Sequence, residues 1–168
     1  MLRRALIASA FTIGLIGSAS AATLHYQATL NGKSEVPATT SPGTGELLAT
    51  LDTATKTLTY TLTFQGLTGP ATAAHFHGPA AASAAAGVAV AIGKDLASPV
   101  TAKATLTAAQ MKDLVAGKWY VNVHTAANKG GEIRGQLVKV TDAAPVAKPA
   151  PAKPAPAAPA APAAPMKH

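Results

Sequence analysis

Three histidines occupy positions from which they could bind one metal ion. His75 and His77 lie two residues apart in the run Ala-His-Phe-His-Gly-Pro, and His124 follows Tyr-Val-Asn-Val. Residues two apart in a β-strand share a face, roughly 6.5–7 Å apart at Cα, so these two imidazoles can converge. Neutral imidazole is a good ligand for copper and zinc. If the two strands are neighbours, the three rings predict a site for one Cu or Zn ion.

The same residues have a structural alternative. A His-x-His pair can organise the Gly78-Pro79 turn through ring-to-backbone hydrogen bonds, or it can form an exposed polar cluster. His25, near the start of the mature chain, and His168, at the C-terminus, are not assigned to the site.

Strand signals surround these histidines. Thr57–Phe64 alternates leucine or aromatic residues with threonine, which predicts a half-buried antiparallel strand. Leu47–Leu51 shows the same period, and the polar Asp52–Lys56 segment between the two runs predicts a hairpin. Further strands are predicted at Leu24–Leu30, Thr72–His77, Val88–Ile92, Thr101–Leu106, Trp119–Thr125 and Glu132–Val140. Together they predict an all-β fold, an antiparallel Greek-key sandwich or barrel of about eight strands.

The strand that ends near His124 should have two different faces. Val121 and Val123 are predicted to point into the core, and Tyr120, Asn122 and His124 to the opposite, polar face. Trp119, at the start of this strand, is predicted to be a core residue.

One short crossover helix interrupts the strands. Thr107 and Gln110 have the spacing of a capping box, and Leu106 and Met111 that of a hydrophobic staple. Met111, Leu114 and Val115 form an apolar stripe, and Gly117 is placed to end the helix.

The two ends of the chain differ from the middle. Residues 1–22 have a basic start, a short apolar run and a small-residue ending, which predicts a secretory signal peptide cleaved after Ala21 or one residue later. Residues 142–168 are almost all Ala and Pro with sparse Lys, a composition that predicts a disordered tail. Residues 23–141 form the predicted domain. The mature protein is expected to be periplasmic or secreted, without a membrane span.

Composition excludes several kinds of site. Cysteine is absent, which excludes disulfides and thiolate ligands, and no phosphate-binding loop or GxSxG motif occurs. The formal net charge is +7, but the basic residues are scattered and not interleaved with aromatics, which favours solubility over nucleic-acid binding. None of the serines has a motif that places a base beside it. Glu35 and Glu132 could act as an acid–base pair only if the fold joins them, and Glu132 and Arg134 share a strand face that suits a local ion pair.

Several motifs in order resemble the CHRD (chordin-type) domain over roughly residues 24–140. The motifs are Leu-Asn-Gly-Lys-Ser-Glu-Val-Pro at 30–37, Ala-His-Phe-His-Gly-Pro-Ala at 74–80, Gly-Lys-Trp-Tyr-Val-Asn-Val-His-Thr at 117–125 and Gly-Gly-Glu-Ile-Arg-Gly-Gln-Leu at 130–137. The resemblance implies an extracytoplasmic all-β domain with no established enzymatic activity. In animal chordins, repeats of this domain occur in secreted antagonists of bone morphogenetic proteins. That activity is not carried over to a chain with one such domain and an Ala/Pro tail.

A fainter similarity is to the Greek-key barrel of Cu/Zn superoxide dismutases. His75, His77 and His124 would match, in order, that family's H-x-H copper pair and a later copper histidine, whereas its zinc ligands and disulfide have no counterpart. The main hypothesis is therefore an exported CHRD binding or structural module that holds one Cu or Zn ion. The alternatives are a copper-only redox enzyme and an envelope adhesion module, whose threonine faces and tail contact an envelope or extracellular partner.

Overall fold

The computed structural model describes residues 21–141. The predicted tail lies outside the described residues, and so does the predicted signal peptide apart from its last two residues. The elements in chain order are β1 (Thr23–Asn31), a 3₁₀ turn (Gly32–Ser34), β2 (Thr44–Asp52), β3 (Thr57–Gln65), β4 (Ala71–His77), β5 (Val88–Leu96), β6 (Val100–Thr105), α1 (Ala108–Val115), β7 (Tyr120–Thr125), β8 (Ile133–Gln136) and β9 (Val138–Val140).

The strands form one antiparallel sheet that curls into a nearly closed barrel. Their spatial order is β5-β4-β7-β8-β1-β2-β3-β6, with β9 also pairing with β1. The two edge strands, β5 and β6, approach each other and leave a seam between them. The predicted all-β antiparallel barrel with one helix is thus confirmed. β4 and β7 are direct neighbours although more than forty residues of chain separate them.

The interior is filled by the apolar face of each strand. Leu58 and Leu62 of β3 are fully buried, and the threonines between them are only partly buried, as strict alternation requires. Phe76 of β4 is also fully buried and meets the ring of Tyr60 edge to face at 5.0 Å between centroids. The hairpin between β2 and β3 is confirmed, with Asp52 paired to Thr57 across it. Trp119 is 1 % exposed in the core, as predicted.

The last predicted strand is divided in two. Leu137 interrupts it: its side chain is buried in the core, and its backbone N–H donates to the carbonyl of Trp119. The chain before this residue pairs with β7, and the chain after it pairs with β1. The single strand predicted over Glu132–Val140 was therefore wrong in its continuity, because a core side chain at residue 137 breaks the ladder.

Helix α1 begins and ends as its sequence predicts. The Thr107 side chain accepts from the Gln110 backbone N–H at 3.2 Å, and the Gln110 side chain accepts from the Thr107 backbone N–H at 2.8 Å. Gly117 follows the helix with a φ of +72°, a left-handed conformation that favours glycine. The Gln110 amide also donates to the carbonyl of Ala89 at 2.8 Å, so it ties the helix to β5 at the seam of the barrel.

Candidate metal centre

Two neighbouring strands bring the three histidines together. In the register between β4 and β7, Ala73 faces His124, His75 faces Asn122 and His77 faces Tyr120. The alternation along β4 directs Phe76 into the core and the two flanking histidines to the outer side of the barrel wall. The three imidazoles therefore lie on one side of the sheet.

The ring nitrogens lie close enough to one another to be ligands of one ion. One nitrogen from each of the three histidines lies within 4.8 Å of the others. His75 Nδ1 is 2.9 Å from His124 Nε2, which is the closest approach of two rings in the cluster. The rings of His75 and His77 meet almost at right angles, with 5.6 Å between their centroids.

Backbone carbonyls orient two of the rings. Nδ1 of His77 is 3.0 Å from the carbonyl of Ala86, and Nδ1 of His124 is 2.9 Å from the carbonyl of Lys129. A carbonyl can only accept, so each Nδ1 carries a proton. Nε2 of His124 then faces Nδ1 of His75, and Nε2 of His77 faces Oδ1 of Asn122. Metal-binding histidines are oriented in the same way, with one nitrogen bound to a carbonyl and the other to the metal.

Burial favours the neutral form of two of the imidazoles, those of His75 and His124. His124 is 9 % exposed and His77 8 %, whereas His75 is partly open to solvent. Burial lowers the pKa of His75, and the neighbouring His124 and His77 lower it further. Burial also lowers the pKa of His124, partly offset by the hydrogen bond to the Lys129 carbonyl, with His77 lowering it again. Since only the neutral ring offers a lone pair, both shifts favour metal binding near neutral pH.

Two loops cover the polar face of β7. Tyr120, Asn122 and His124 do point away from the core, as predicted, but they are buried beneath residues 78–87 and 126–131. The guanidinium of Arg134 donates to the carbonyls of Ala81, Ala82 and Ala84 at 3.3, 3.1 and 2.8 Å and so holds the first loop down.

A stack of rings supports this cover. The guanidinium carbon of Arg134 lies 3.4 Å from the centre of the Tyr120 ring. That ring in turn stacks in parallel on His77, at 4.8 Å between centroids and 2° between planes. The histidine cluster is thus surrounded by packed side chains, and of its three histidines only His75 is partly exposed to solvent.

A family model for the CHRD domain matches residues 26–137. The chain belongs to the CHRD domain family. The match spans the barrel from β1 to β8, so the histidine cluster lies inside the CHRD domain. No curated protein and no solved structure matches the chain. Within residues 21–141, no helix has the length and apolar character needed to cross a membrane.

The CHRD domain contains a buried carboxylate whose role the sequence did not indicate. Glu132 is fully buried and accepts hydrogen bonds from a set of neutral groups. These are the Ser41 hydroxyl at 2.6 Å, the backbone N–H and hydroxyl of Thr68, each at 2.7 Å, the Thr125 hydroxyl at 2.5 Å and the Asn128 amide at 3.1 Å. Burial alone would raise the pKa of Glu132, but these hydrogen bonds outweigh it and lower the pKa to about 2.

This carboxylate joins distant parts of the CHRD domain. Its partners come from the segment before β2, the segment before β4, the end of β7 and the loop over residues 126–131. The predicted ion pair with Arg134 is wrong, because the guanidinium reaches the loop carbonyls instead. A carboxylate with a pKa of about 2 is a poor general base, so its contact with Ser41 does not activate a nucleophile.

A second group of polar side chains, Asn122 and Glu35, lies beside the histidine cluster. Oδ1 of Asn122 is 3.0 Å from Nε2 of His77, and Nδ2 of Asn122 is 3.5 Å from the carbonyl of Gly130. Glu35 is 7 % exposed, and its Oε1 atom has no hydrogen-bond partner. Burial raises the pKa of Glu35, and the nearby Arg134 guanidinium, the Val36 backbone N–H and the Asn122 amide oppose that rise. Glu35 and Glu132 have separate sets of partners, and no hydrogen bond joins them.

Proposed function

We propose that this CHRD protein is an exported binding module that holds one copper or zinc ion through His75, His77 and His124. The observation that carries the proposal is the approach of three imidazole nitrogens, one from each residue, to within 4.8 Å of one another. Three neutral imidazoles are a ligand set known for both metals.

The orientation of the rings supports the proposal. The backbone carbonyls of Ala86 and Lys129 fix the rings of His77 and His124 through their Nδ1 atoms. This arrangement reduces the entropy lost when an ion binds, because the ligands are already ordered. The partly exposed side of His75 gives an ion a route from solvent.

The sequence pattern of residues 1–22 supports export, and the contacts of Ala22 are compatible with cleavage after Ala21. The carbonyl of Ala22 accepts from the Thr53 backbone N–H at 3.0 Å, and the backbone N–H of Ala22 donates to the Thr53 hydroxyl at 2.9 Å. Signal-peptide cleavage after Ala21 would leave these contacts and all of β1 in place. Export is tested by the N-terminal sequence of the protein recovered from the periplasm or medium, which should begin at Ala22 or Thr23.

Metal binding is tested by elemental analysis after loading with Cu(II) or Zn(II) and removal of free ions. The wild type should retain about one ion per chain, and the variant His75→Ala/His77→Ala/His124→Ala should retain none. His25→Ala is the matched control, because it removes a histidine on β1 outside the cluster and should leave the metal content unchanged. Equal metal content in the wild type and the triple variant would refute the site.

A copper-loaded protein also allows the redox alternative to be tested. Superoxide consumption above the rate of the triple variant would make the protein an enzyme. A rate equal to that variant would leave a binding module.

A further inference from the structure

The hydrogen-bond count at His77 points to a ligand beyond the three histidines. Nδ1 of His77 faces the Ala86 carbonyl, so it carries a proton. Nε2 of the same ring lies 3.0 Å from Oδ1 of Asn122, and an amide oxygen only accepts. These two atoms therefore need either a proton or a metal ion that both of them can bind.

Rotation of the Asn122 amide by 180°, which would exchange its oxygen and nitrogen, is opposed by the groups around Nδ2. Its Nδ2 atom lies 3.5 Å from the Gly130 carbonyl and beside the carboxyl of Glu35. A Cβ added at Gly131 would overlap Glu35 Oε1 and come within 2.6 Å of Asn122 Nδ2, so both groups crowd the same small space. An amide oxygen in that space would face the Gly130 carbonyl, which only accepts. The surroundings therefore keep Nδ2 toward Glu35 and Oδ1 toward His77.

The spacing of the polar atoms fits ligands on one ion. Two ligands at right angles on an ion with bonds of about 2.05 Å are about 2.9 Å apart, whereas tetrahedral ligands are about 3.3–3.4 Å apart. His75 Nδ1 and His124 Nε2 are separated by 2.9 Å, and His77 Nε2 and Asn122 Oδ1 by 3.0 Å. Both separations are hydrogen-bond distances, and they also match the right-angled case, which is typical of four-coordinate Cu(II) with nitrogen and oxygen ligands.

We propose that Asn122 Oδ1 is the fourth ligand of the ion held by His75, His77 and His124, which makes a tetragonal Cu(II) site with three nitrogens and one oxygen. This inference rests on the proposed function. Adjacent ligands in such a site are about 2.9 Å apart and opposite ligands about 4.1 Å apart, so the histidine nitrogens, now within 4.8 Å of one another, would close by at most about 1.9 Å on binding.

Glu35 is the positioning residue of this site. Its carboxyl is more than nine-tenths buried and lies beside Asn122 Nδ2, and its Oε1 atom is unpartnered. It fixes the direction of the amide, and it supplies a negative charge near an ion whose four ligands are all neutral. A buried charge is costly unless it has a partner; the Arg134 guanidinium lies nearby, and a bound cation would be a second partner.

The test measures Cu(II) affinity by competition with a chelator and records the electron paramagnetic resonance spectrum of the copper-loaded protein. Asn122→Ala should weaken binding by about 10–100-fold or more and change the copper hyperfine splitting. Asn128→Ala is the matched control: it removes an asparagine side chain from the loop over residues 126–131, where it contacts Glu132 and Thr68 but no histidine. It should keep wild-type affinity and the wild-type spectrum.

A charge-conserving exchange covers the case in which Asn122→Ala does not fold. The double variant Asn122→Asp/Glu35→Gln exchanges the positions of the amide and the carboxyl. An oxygen at residue 122 still faces His77, and the net charge is unchanged. It should bind one Cu(II) with a shifted spectrum, because a carboxylate replaces an amide oxygen as ligand. A wild-type spectrum for this variant would overturn the inference.

The remaining outcomes separate this inference from the proposed function. Wild-type affinity and spectrum in Asn122→Ala would overturn the fourth ligand and leave the three-histidine site intact. An equal loss of affinity in Asn128→Ala would also overturn it, because loop packing would then explain the effect. Absence of copper binding in the wild type would refute both.

Discussion

Replacing the buried Glu132 by glutamine should destabilise the domain, and the loss should depend on pH. Each carboxylate oxygen accepts from at least two donors, with Asn128 Nδ2 at 3.1 Å from Oε2. In Glu132→Gln, an amide NH₂ replaces one oxygen and meets donors. The hydroxyls of Thr68 and Thr125 can rotate to accept, but the Asn128 amide cannot. We expect a loss of about 2 kcal/mol in the free energy of unfolding at pH 7.

The pH dependence follows from the lowered pKa of Glu132. The group ionises at about 2 in the folded domain and at an ordinary value of 4.5 when unfolded. Its stabilising contribution is therefore complete above pH 4.5 and disappears as the pH falls from 4.5 toward 2. The difference between the two pKa values corresponds to at most about 3 kcal/mol, and residual interactions in the unfolded chain reduce it to about 1–2 kcal/mol.

The assay compares wild type and Glu132→Gln by urea unfolding at a series of pH values from 7 to 2. The stability difference between them should shrink by about 1–2 kcal/mol over the acid range, because other titrating groups cancel in the subtraction. Glu46→Gln makes the same atomic change at an exposed position of β2 and controls for the loss of one charge. A difference between wild type and Glu132→Gln that stays constant down to pH 2 would show that the reasoning is wrong.

Three further substitutions test local features by chemical unfolding. Thr107→Ala removes half of the capping box with Gln110 and should cost about 1 kcal/mol; no loss would mean that the cap does not stabilise α1. Gly131→Ala places a Cβ against Glu35 at a φ of +134° and should cost at least about 2 kcal/mol, and wild-type stability would show that the loop yields. Phe76→Ala leaves a cavity in the core and should cost about 3–5 kcal/mol, whereas a loss below 1 kcal/mol would contradict its tight packing.

The sequence alone was sufficient for the local features. Alternation identified the strands, and the side-chain period of two placed His75 and His77 on one face with Phe76 in the core. The capping box of Thr107 and Gln110 identified the start of α1. These features depend on residues within a few positions of one another, so the chain order contains the whole signal.

The tertiary structure alone decided the environment of the histidines. Alternation separates the core face of β7 from the other face, but it does not reveal that two loops bury Asn122 and His124. The partners of Glu132 include Ser41 and Thr68, which are 91 and 64 residues away in the chain, and no short motif encodes such a set. The pairing of strands and the packing of loops arise from the cooperative burial of the whole core, and that is why only the folded chain defines these contacts.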